Sequence, residues 1–360
     1  MKKNKLLIIL FLLVCFLYLN NTEIYAKKYQ SKYITLKSKK NLKYNNISKK
    51  QKLDIYYPKK IKRNRNNPVV LFIHGGYYDS GNKAYGLKKN KKNYNDAGYV
   101  YVTMNYRLSK NARFPSAAND VKTAIRYLKH NSKKLYINSS KIIIVGFSAG
   151  ANVGSLAVST PNIKSFNNEK VKYAKMNNKV AGFIGISGFY NLDTYFDLRD
   201  KLDTELIGSE ENNTEEEINN ETEENIDEKD DSSKEVEPIN SSAITISNNV
   251  VSSGAYTKNQ KRILNYFTTI KTPIKNDLKN ANTFNYIKKI KAPIMIYAGK
   301  NDKTISYKQS SEFCSTLKKN NKKVSCHIYK KKSHGISFYQ KKDNFKKIVK
   351  WMNKITRHKK

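Results

Sequence analysis

The sequence predicts an α/β fold, a mostly parallel central sheet flanked by helices, with one acidic low-complexity insertion. Three observations predict it. Short apolar runs such as "PVVLFIHGG", "YVYVTMNY" and "KIIIVGF" recur along the chain. Their residues are apolar at successive positions, as in strands buried on both faces of a parallel sheet. Segments with helical periodicity lie between them: in "SAANDVKTAIRYLKH", Val121, Ala124, Ile125 and Leu128 fall at i, i+3, i+4 and i+7. Strands alternating with helices imply layers of helix on both faces of a sheet. One stretch breaks the alternation, and its composition is unlike the rest.

The first 26 residues read as a secretory signal peptide. A basic "MKKNK" precedes an unbroken apolar run from Leu6 to Leu19, and the polar stretch that follows ends in "EIYA". Cleavage is expected after Ala26. The run has 14 residues, short of the roughly 20 that a spanning helix needs. An uncleaved anchor is the alternative.

Residues 27–360 then form one α/β domain. "YITLKS" and "KLDIYYP" are expected to pair as leading antiparallel strands. "NPVVLFIHGG" and "GYVYVTMNY" are buried strands, followed by the helix around Val121. "KIIIVGF" is a third apolar strand and "SAGANVGSLAVS" a helix of small residues. "VAGFIGISGFY" and "APIMIYAGK" supply two more strands. "SYKQSSEFCSTLKK" is helical, "KVSCHIYK" is the last strand, and residues 341–357 close the chain as a helix. The interruption, at about 204–262, is acidic, almost free of aromatics and low in complexity. Such a segment buries too little apolar surface to order itself, so a disordered surface insertion is expected.

Charge is unevenly spread. The 360 residues carry a net charge of +40, yet residues 203–237 hold 16 of the 29 acids and only two lysines. The remainder has a balance of +54. A surface of that sign is a solubilising coat and also suits peripheral contact with anionic membranes. No zinc-finger spacing or RNA-binding aromatic signature accompanies it, which argues against specific nucleic-acid binding. Of three cysteines, Cys15 leaves with the signal. Cys314 and Cys326 can pair in a secreted chain or remain free thiols. No Cys/His cluster has metal spacing, so no metal is expected.

The chemistry concentrates at "KIIIVGFSAGANVG". Gly146-Phe147-Ser148-Ala149-Gly150 fits G-x-S-x-G between a strand and a helix, the context in which a serine stands on a sharp turn with its hydroxyl exposed. A serine hydroxyl needs a base to take its proton. In this architecture the partners follow in the order serine, acid, histidine. Asp302 lies just past a buried strand in "IMIYAGKNDKTIS", and His334 lies after the last strand in "CHIYKKKSHGIS". His334 would take the Ser148 proton, and Asp302 would orient the imidazole. "HGG" after the first buried strand offers backbone amides at Gly75 and Gly76, which with that of Ala149 would hold a tetrahedral oxyanion.

The segments "KLDIYYP", "HGGYYDSGNK", "MNYRLSKNARFPSAANDVKTAIRYL", "GFSAGAN", "GISGFYNL", "APIMIYAGKNDKTI" and "SHGI" together resemble the α/β-hydrolase superfamily. Within it the chain is similar to esterases of the hormone-sensitive-lipase type and to their BD-FAE relatives. The resemblance covers residues 52–338 in family order. It implies Ser148 as nucleophile, His334 as base, Asp302 as acid, oxyanion donors at Gly75, Gly76 and Ala149, and no cofactor. The implied substrate is a small or medium carboxylic ester. Tyr77 stands where a fuller glycine-rich pattern has its third glycine. That tyrosine resembles arylformamidases and prenylcysteine methylesterase-like enzymes, the alternatives among hydrolases. A non-catalytic binding protein on the same fold is the alternative outside enzymes.

Overall fold

The computed structural model describes residues 11–19, 32–167, 171–192, 194–195, 257–267 and 274–358. The expected cleavage point after Ala26, and residues 204–256 of the acidic insertion, lie outside the described residues. Residues 11–19, inside the leading apolar run, form a helix, α1. Among the described residues no helix is long and apolar enough to cross a membrane.

The strands are β1 (Tyr33–Ile34), β2 (Lys39–Lys43), β3 (Lys52–Tyr56), β4 (Ile61–Lys62), β5 (Val69–Ile73), β6 (Val100–Met104), β7 (Ile142–Phe147), β8 (Gly182–Ile186), β9 (Ile294–Gly299) and β10 (Val324–Tyr329). Eight of them form one sheet in the order β10-β9-β8-β7-β5-β6-β3-β2. The six from β10 to β6 are parallel, and β3 and β2 extend that sheet antiparallel. The helices are α2 (Leu87–Asp96), α3 (Ser116–His130), α4 (Ala149–Ser159), α5 (Lys258–Phe267), α6 (Ile274–Asn280), α7 (Tyr307–Lys319) and α8 (Lys342–Thr356).

The alternation of side chains along each strand builds two cores. Val69, Leu71 and Ile73 of β5 pack into the layer that holds Val121 and Leu128 of α3, Val153 and Leu156 of α4, Ile263 and Phe267 of α5, and Phe313 of α7. Val70 and Phe72 face the other way, onto Tyr94 of α2 and Ile348 and Met352 of α8. Every residue of β5, β6, β7, β8 and β9 is buried. Each large side chain so buried contributes about 1.5–3 kcal/mol, which is why these runs read so clearly in the sequence.

Two expectations are corrected, and one helix is added that the sequence did not announce. The strand partner of "KLDIYY" is "KKNLK", not "YITLKS": β2 pairs with β3, while β1 pairs with β4 in a separate two-stranded ribbon. The insertion, expected to run to 262, gives way to α5 from Lys258. In "KNQKRILNYF" the buried Ile263, Leu264, Tyr266 and Phe267 recur at helical spacing, so this end of the segment has a face to bury. Helix α2 has no apolar stripe to announce it; its buried residues are Asn90 and Tyr94.

Two cross-links tie elements together. Arg107, just after β6, is buried against Asp120 of α3: its Nη2 donates to Oδ1 at 2.8 Å and its backbone N–H to Oδ2 at 2.8 Å. Gln51 Nε2 donates to the same carboxylate at 2.6 Å. Burial pushes the Asp120 carboxyl up, and the Arg107 bonds pull against that shift. Cys314 of α7 is bonded to Cys326 of β10, with their Cα atoms 6.3 Å apart. The free-thiol alternative for this pair is therefore set aside.

The disulfide joins the edge strand β10 to the helix that covers it. Replacing both cysteines by serine is expected to lower the unfolding free energy by about 2–4 kcal/mol. Urea midpoints of the oxidised protein and the double variant measure this, and equal midpoints would show that the link adds nothing.

Candidate active site

The strand order reverses at β5: the chain passes from β5 to β6 on one side, then crosses back to β7 on the other. Crevices at such a switch point, outside the carboxyl ends of the strands, are where parallel sheets place ligands. Residues 74–76 leave β5 there, and Ser148 leaves β7 there.

Ser148 has φ 53° and ψ −124°, a strained conformation for a side chain-bearing residue. Its N–H donates to Ile186 O of β8 at 2.9 Å, which ties the turn to the next strand. The flanking glycines are required by contact. A Cβ on Gly146 would run into Gly150 O, and one on Gly150 into the carbonyl oxygens of Ile73 and His74. The turn is thus pressed against the end of β5, and its hydroxyl is directed over the sheet edge.

The three residues expected to act together are brought together. Asp302 follows β9 and His334 follows β10. His334 Nε2 is 3.2 Å from Ser148 Oγ, and His334 Nδ1 is 2.8 Å from Asp302 Oδ2. Asp302 is 3% exposed, and its other oxygen accepts the N–H groups of Thr304 at 2.9 Å and Ile305 at 2.8 Å. Two backbone donors therefore hold Oδ1 and leave Oδ2 for the imidazole. The His334 ring also leans on Phe147, with centroids 5.2 Å apart. This chain of contacts can deliver a serine proton to an imidazole whose far nitrogen is held by an anion.

Gly75 and Ala149 lie beside the same residue, one in space and one in sequence. A Cβ on Gly75 would sit 2.9 Å from Ser148 Cβ, so only glycine lets this loop come so close. Gly76 has φ 113°, and its carbonyl accepts from Asp79 and Ser80 N–H at 2.9 Å each. Ala149 opens α4 immediately after Ser148, where backbone N–H groups have no intrahelical partner.

Sequence reasoning left out what holds the glycine loop. His74 is 1% exposed; its Nδ1–H donates to Gly75 O at 2.7 Å. Its ring stacks on Tyr106 at 4.4 Å, and Tyr106 Oη–H donates to His74 O at 3.1 Å. The buried Arg107–Asp120 pair anchors the residue next to Tyr106. Burial pushes the His74 pKa down to about 4, so the ring is neutral in the folded protein. Tyr78 Oη–H also donates to Asn152 Oδ1 of α4 at 2.7 Å. Only the adjacency of "HGG" and "NYRL" to strand ends could have signalled these supports.

Beside the triad lies a cavity of about 210 Å³ lined by Tyr77, Tyr195, Asn259, Lys303 and Thr304. Tyr77, the departure from the glycine pattern, forms part of its wall, and Arg262 of α5 lies 4.9 Å over its ring. Among the described residues no group of His, Cys, Asp and Glu could hold a metal ion.

Comparison with known proteins follows the same lines. A model of the BD-FAE family matches residues 53–241, and one of the prolyl oligopeptidase family matches residues 245–359. The "Probable carboxylic ester hydrolase LipM" of Mycobacterium tuberculosis is 29% identical over 126 residues, 35% of this chain and 29% of that protein. The isoprenylcysteine alpha-carbonyl methylesterase ICME of Arabidopsis thaliana is 24% identical over 143 residues, 40% of this chain and 32% of that protein. The matches thus span about a third of the length of these curated relatives. Among solved structures, a truncated carbohydrate esterase from gut microbiota superposes with TM-score 0.65 at 20% identity, covering 91% of this chain and 99% of that one. Esterase B from Lactobacillus rhamnosis does so with TM-score 0.61 at 14% identity, covering 96% and 93%. These likenesses show the α/β-hydrolase fold, with its mostly parallel sheet between helical layers.

The neutral His74 has a consequence for acid stability. Its pKa is about 4 in the fold against 6.5 for the free side chain. As pH falls from 6.5 to 4, the unfolded chain binds a proton that the native protein refuses, so stability declines across that window. Urea midpoints at pH 7 and pH 4.5 are expected to differ less in His74→Gln than in the parent. An unchanged difference would remove His74 from the acid response.

Proposed function

Because the chain belongs to the BD-FAE family, whose model covers more than half of it, we propose that it is a serine carboxylic-ester hydrolase acting through an acyl-enzyme on small or medium esters. The observation that carries this reading is the continuous contact from Ser148 Oγ through His334 to Asp302, at 3.2 Å and 2.8 Å, with the serine on a strained turn.

The chemistry follows from the placement. Ser148 Oγ attacks the ester carbonyl carbon while His334 Nε2 takes its proton. Asp302 holds the Nδ1–H and stabilises the imidazolium. The carbonyl oxygen becomes an oxyanion and accepts hydrogen bonds from the Gly75, Gly76 and Ala149 amides, each such donor being worth about 10²–10³ in rate. His334 then returns the proton to the departing alcohol. Water, deprotonated by the same imidazole, hydrolyses the acyl-serine and restores the hydroxyl.

The relatives named as isoprenylcysteine methylesterases support a methyl ester as one substrate type within this reading. The leader over residues 1–26 supports export, and the Cys314–Cys326 disulfide fits an oxidising compartment.

Hydrolysis of p-nitrophenyl esters from acetate to palmitate is expected, with an optimum at short chains. Ser148→Ala is expected to lower kcat by at least about 10³-fold, and Asp302→Asn by about 10⁴-fold through loss of the productive tautomer. An active-site phosphonate should label Ser148. Turnover that survives Ser148→Ala would overturn the mechanism. The intact mass of protein recovered from an exporting host is expected to correspond to a chain beginning at Lys27; a mass that retains residues 1–26 would instead support the anchor.

A further inference from the structure

Phe147 fills the variable position of the G-x-S-x-G turn, and its side chain reaches beyond that turn. Along the chain it is the residue before Ser148. Its ring lies 5.2 Å from the His334 ring, centroid to centroid, with the two planes tilted by 41°. The same ring passes beside the glycine loop: a Cβ on Gly75 would come within 3.1 Å of Phe147 Cδ1. One buried side chain thus borders the base, the turn that carries the nucleophile and the oxyanion loop. It belongs to the core layer that faces α2 and α8.

The Phe147 ring is itself backed. Tyr85 stacks on it at 5.5 Å, with the planes 13° apart. Gly86, the next residue, caps the start of α2, and a Cβ there would strike Ile336 Cδ1 of the segment after His334. Asn90 of α2 closes the same clamp: its Oδ1 accepts from Tyr339 Oη at 2.9 Å and from Gln340 Nε2 at 2.7 Å. His334 itself stands at the open end of this clamp. Gly335 has open space where a Cβ would be, and the His334 side chain is 21% exposed. The contacts that fix its ring are with Ser148, Asp302 and Phe147.

Hydrogen bonds at Nδ1 and Nε2 hold the two ends of the imidazole, but the ring can still turn about the line that joins them. A packed ring against one face restricts that turning, as a catalytic group needs its rotamer locked by its neighbours. The contact also has an electrostatic part. When His334 takes the Ser148 proton it becomes a cation, and a ring whose centroid lies within about 6 Å attracts a cation through its quadrupole. The attraction is weak while the imidazole is neutral, so it favours the transition state over the bound substrate. We infer that Phe147 is a positioning residue for His334, which orients the imidazole and steadies its protonated form. The inference rests on the serine-hydrolase reading, in which His334 is the base, though the hold of Phe147 on His334 can be measured without turnover.

Phe147→Leu tests it by removing the ring while keeping apolar bulk; Phe147→Met, whose flexible chain fills irregular space, takes its place should leucine fail to fold. On short p-nitrophenyl esters kcat is expected to fall roughly three- to thirtyfold. KM should change little, because the lost interaction belongs to the transition state. Phe147→Tyr, which keeps the ring, is expected to retain most of the parent kcat. An undiminished kcat in the aliphatic variant, a loss carried by KM, or a fall that Phe147→Tyr shares in full would overturn the inference. Proton NMR separates it from the hydrolase reading. The parent is expected to show a far-downfield resonance for the His334 Nδ1–H held by Asp302, absent from His334→Gln. In the aliphatic variant that resonance should broaden, as a ring freer to turn exchanges its proton faster with water. Broadening in a protein that cleaves no ester would keep the positioning role and remove the hydrolase. An unbroadened resonance with parental kcat, in a protein that does cleave esters, would remove the positioning role alone.

Discussion

The site depends on one close approach, the turn after β7 pressed against the end of β5. Gly150 lies where any side chain would strike the carbonyls of Ile73 and His74, and Gly146 lies where one would strike Gly150. With both positions bare, α4 starts directly over the edge of the sheet. Ser148 takes a conformation with φ 53° that an unconstrained serine rarely adopts. The parallel pairing of β7 with β5 on one side and β8 on the other supplies the force that keeps the strain in place.

The glycine loop is held by a different means. Its two glycines must pass close to Ser148, so they carry no side chains that could anchor them. The anchoring comes from below: a neutral buried imidazole bonded to Gly75 O, a tyrosine stacked on that imidazole, and an ion pair that fixes the segment next to the tyrosine. A buried ion pair is a weak source of net stability, since desolvation offsets much of its attraction. Its service here is geometric. It joins the β6 exit to α3, and through Tyr106 it supports the glycine loop.

Charge is organised on two scales. Over the whole surface the lysines make a broad positive field, which governs solubility and non-specific attraction. At the crevice the arrangement is specific: Asp302 is buried and held by two backbone donors, while Lys303, the next residue, lines the cavity. Adjacent residues of one loop thus carry opposite charges, one at the imidazole and one at the cavity wall.

Much of this was legible in the residues alone. A strand buried on both faces must be apolar throughout, so β5 to β9 could be read directly. The serine elbow could be read because steric exclusion permits only glycine at positions 146 and 150, and Asp302 and His334 because chain order and strand ends place them. Helix α2 and the true partner of β3 were hidden, because their local patterns are weak and distant packing selects them. The helical end of the acidic segment does carry a helical face in Ile263, Leu264, Tyr266 and Phe267, masked by the composition of the residues before it. The pairing of Cys314 with Cys326, the supports of the glycine loop and the cation at the cavity wall were decided by tertiary structure. Each depends on side chains from separate elements meeting in space, and sequence spacing encodes that only after the sheet order has set which loops are neighbours.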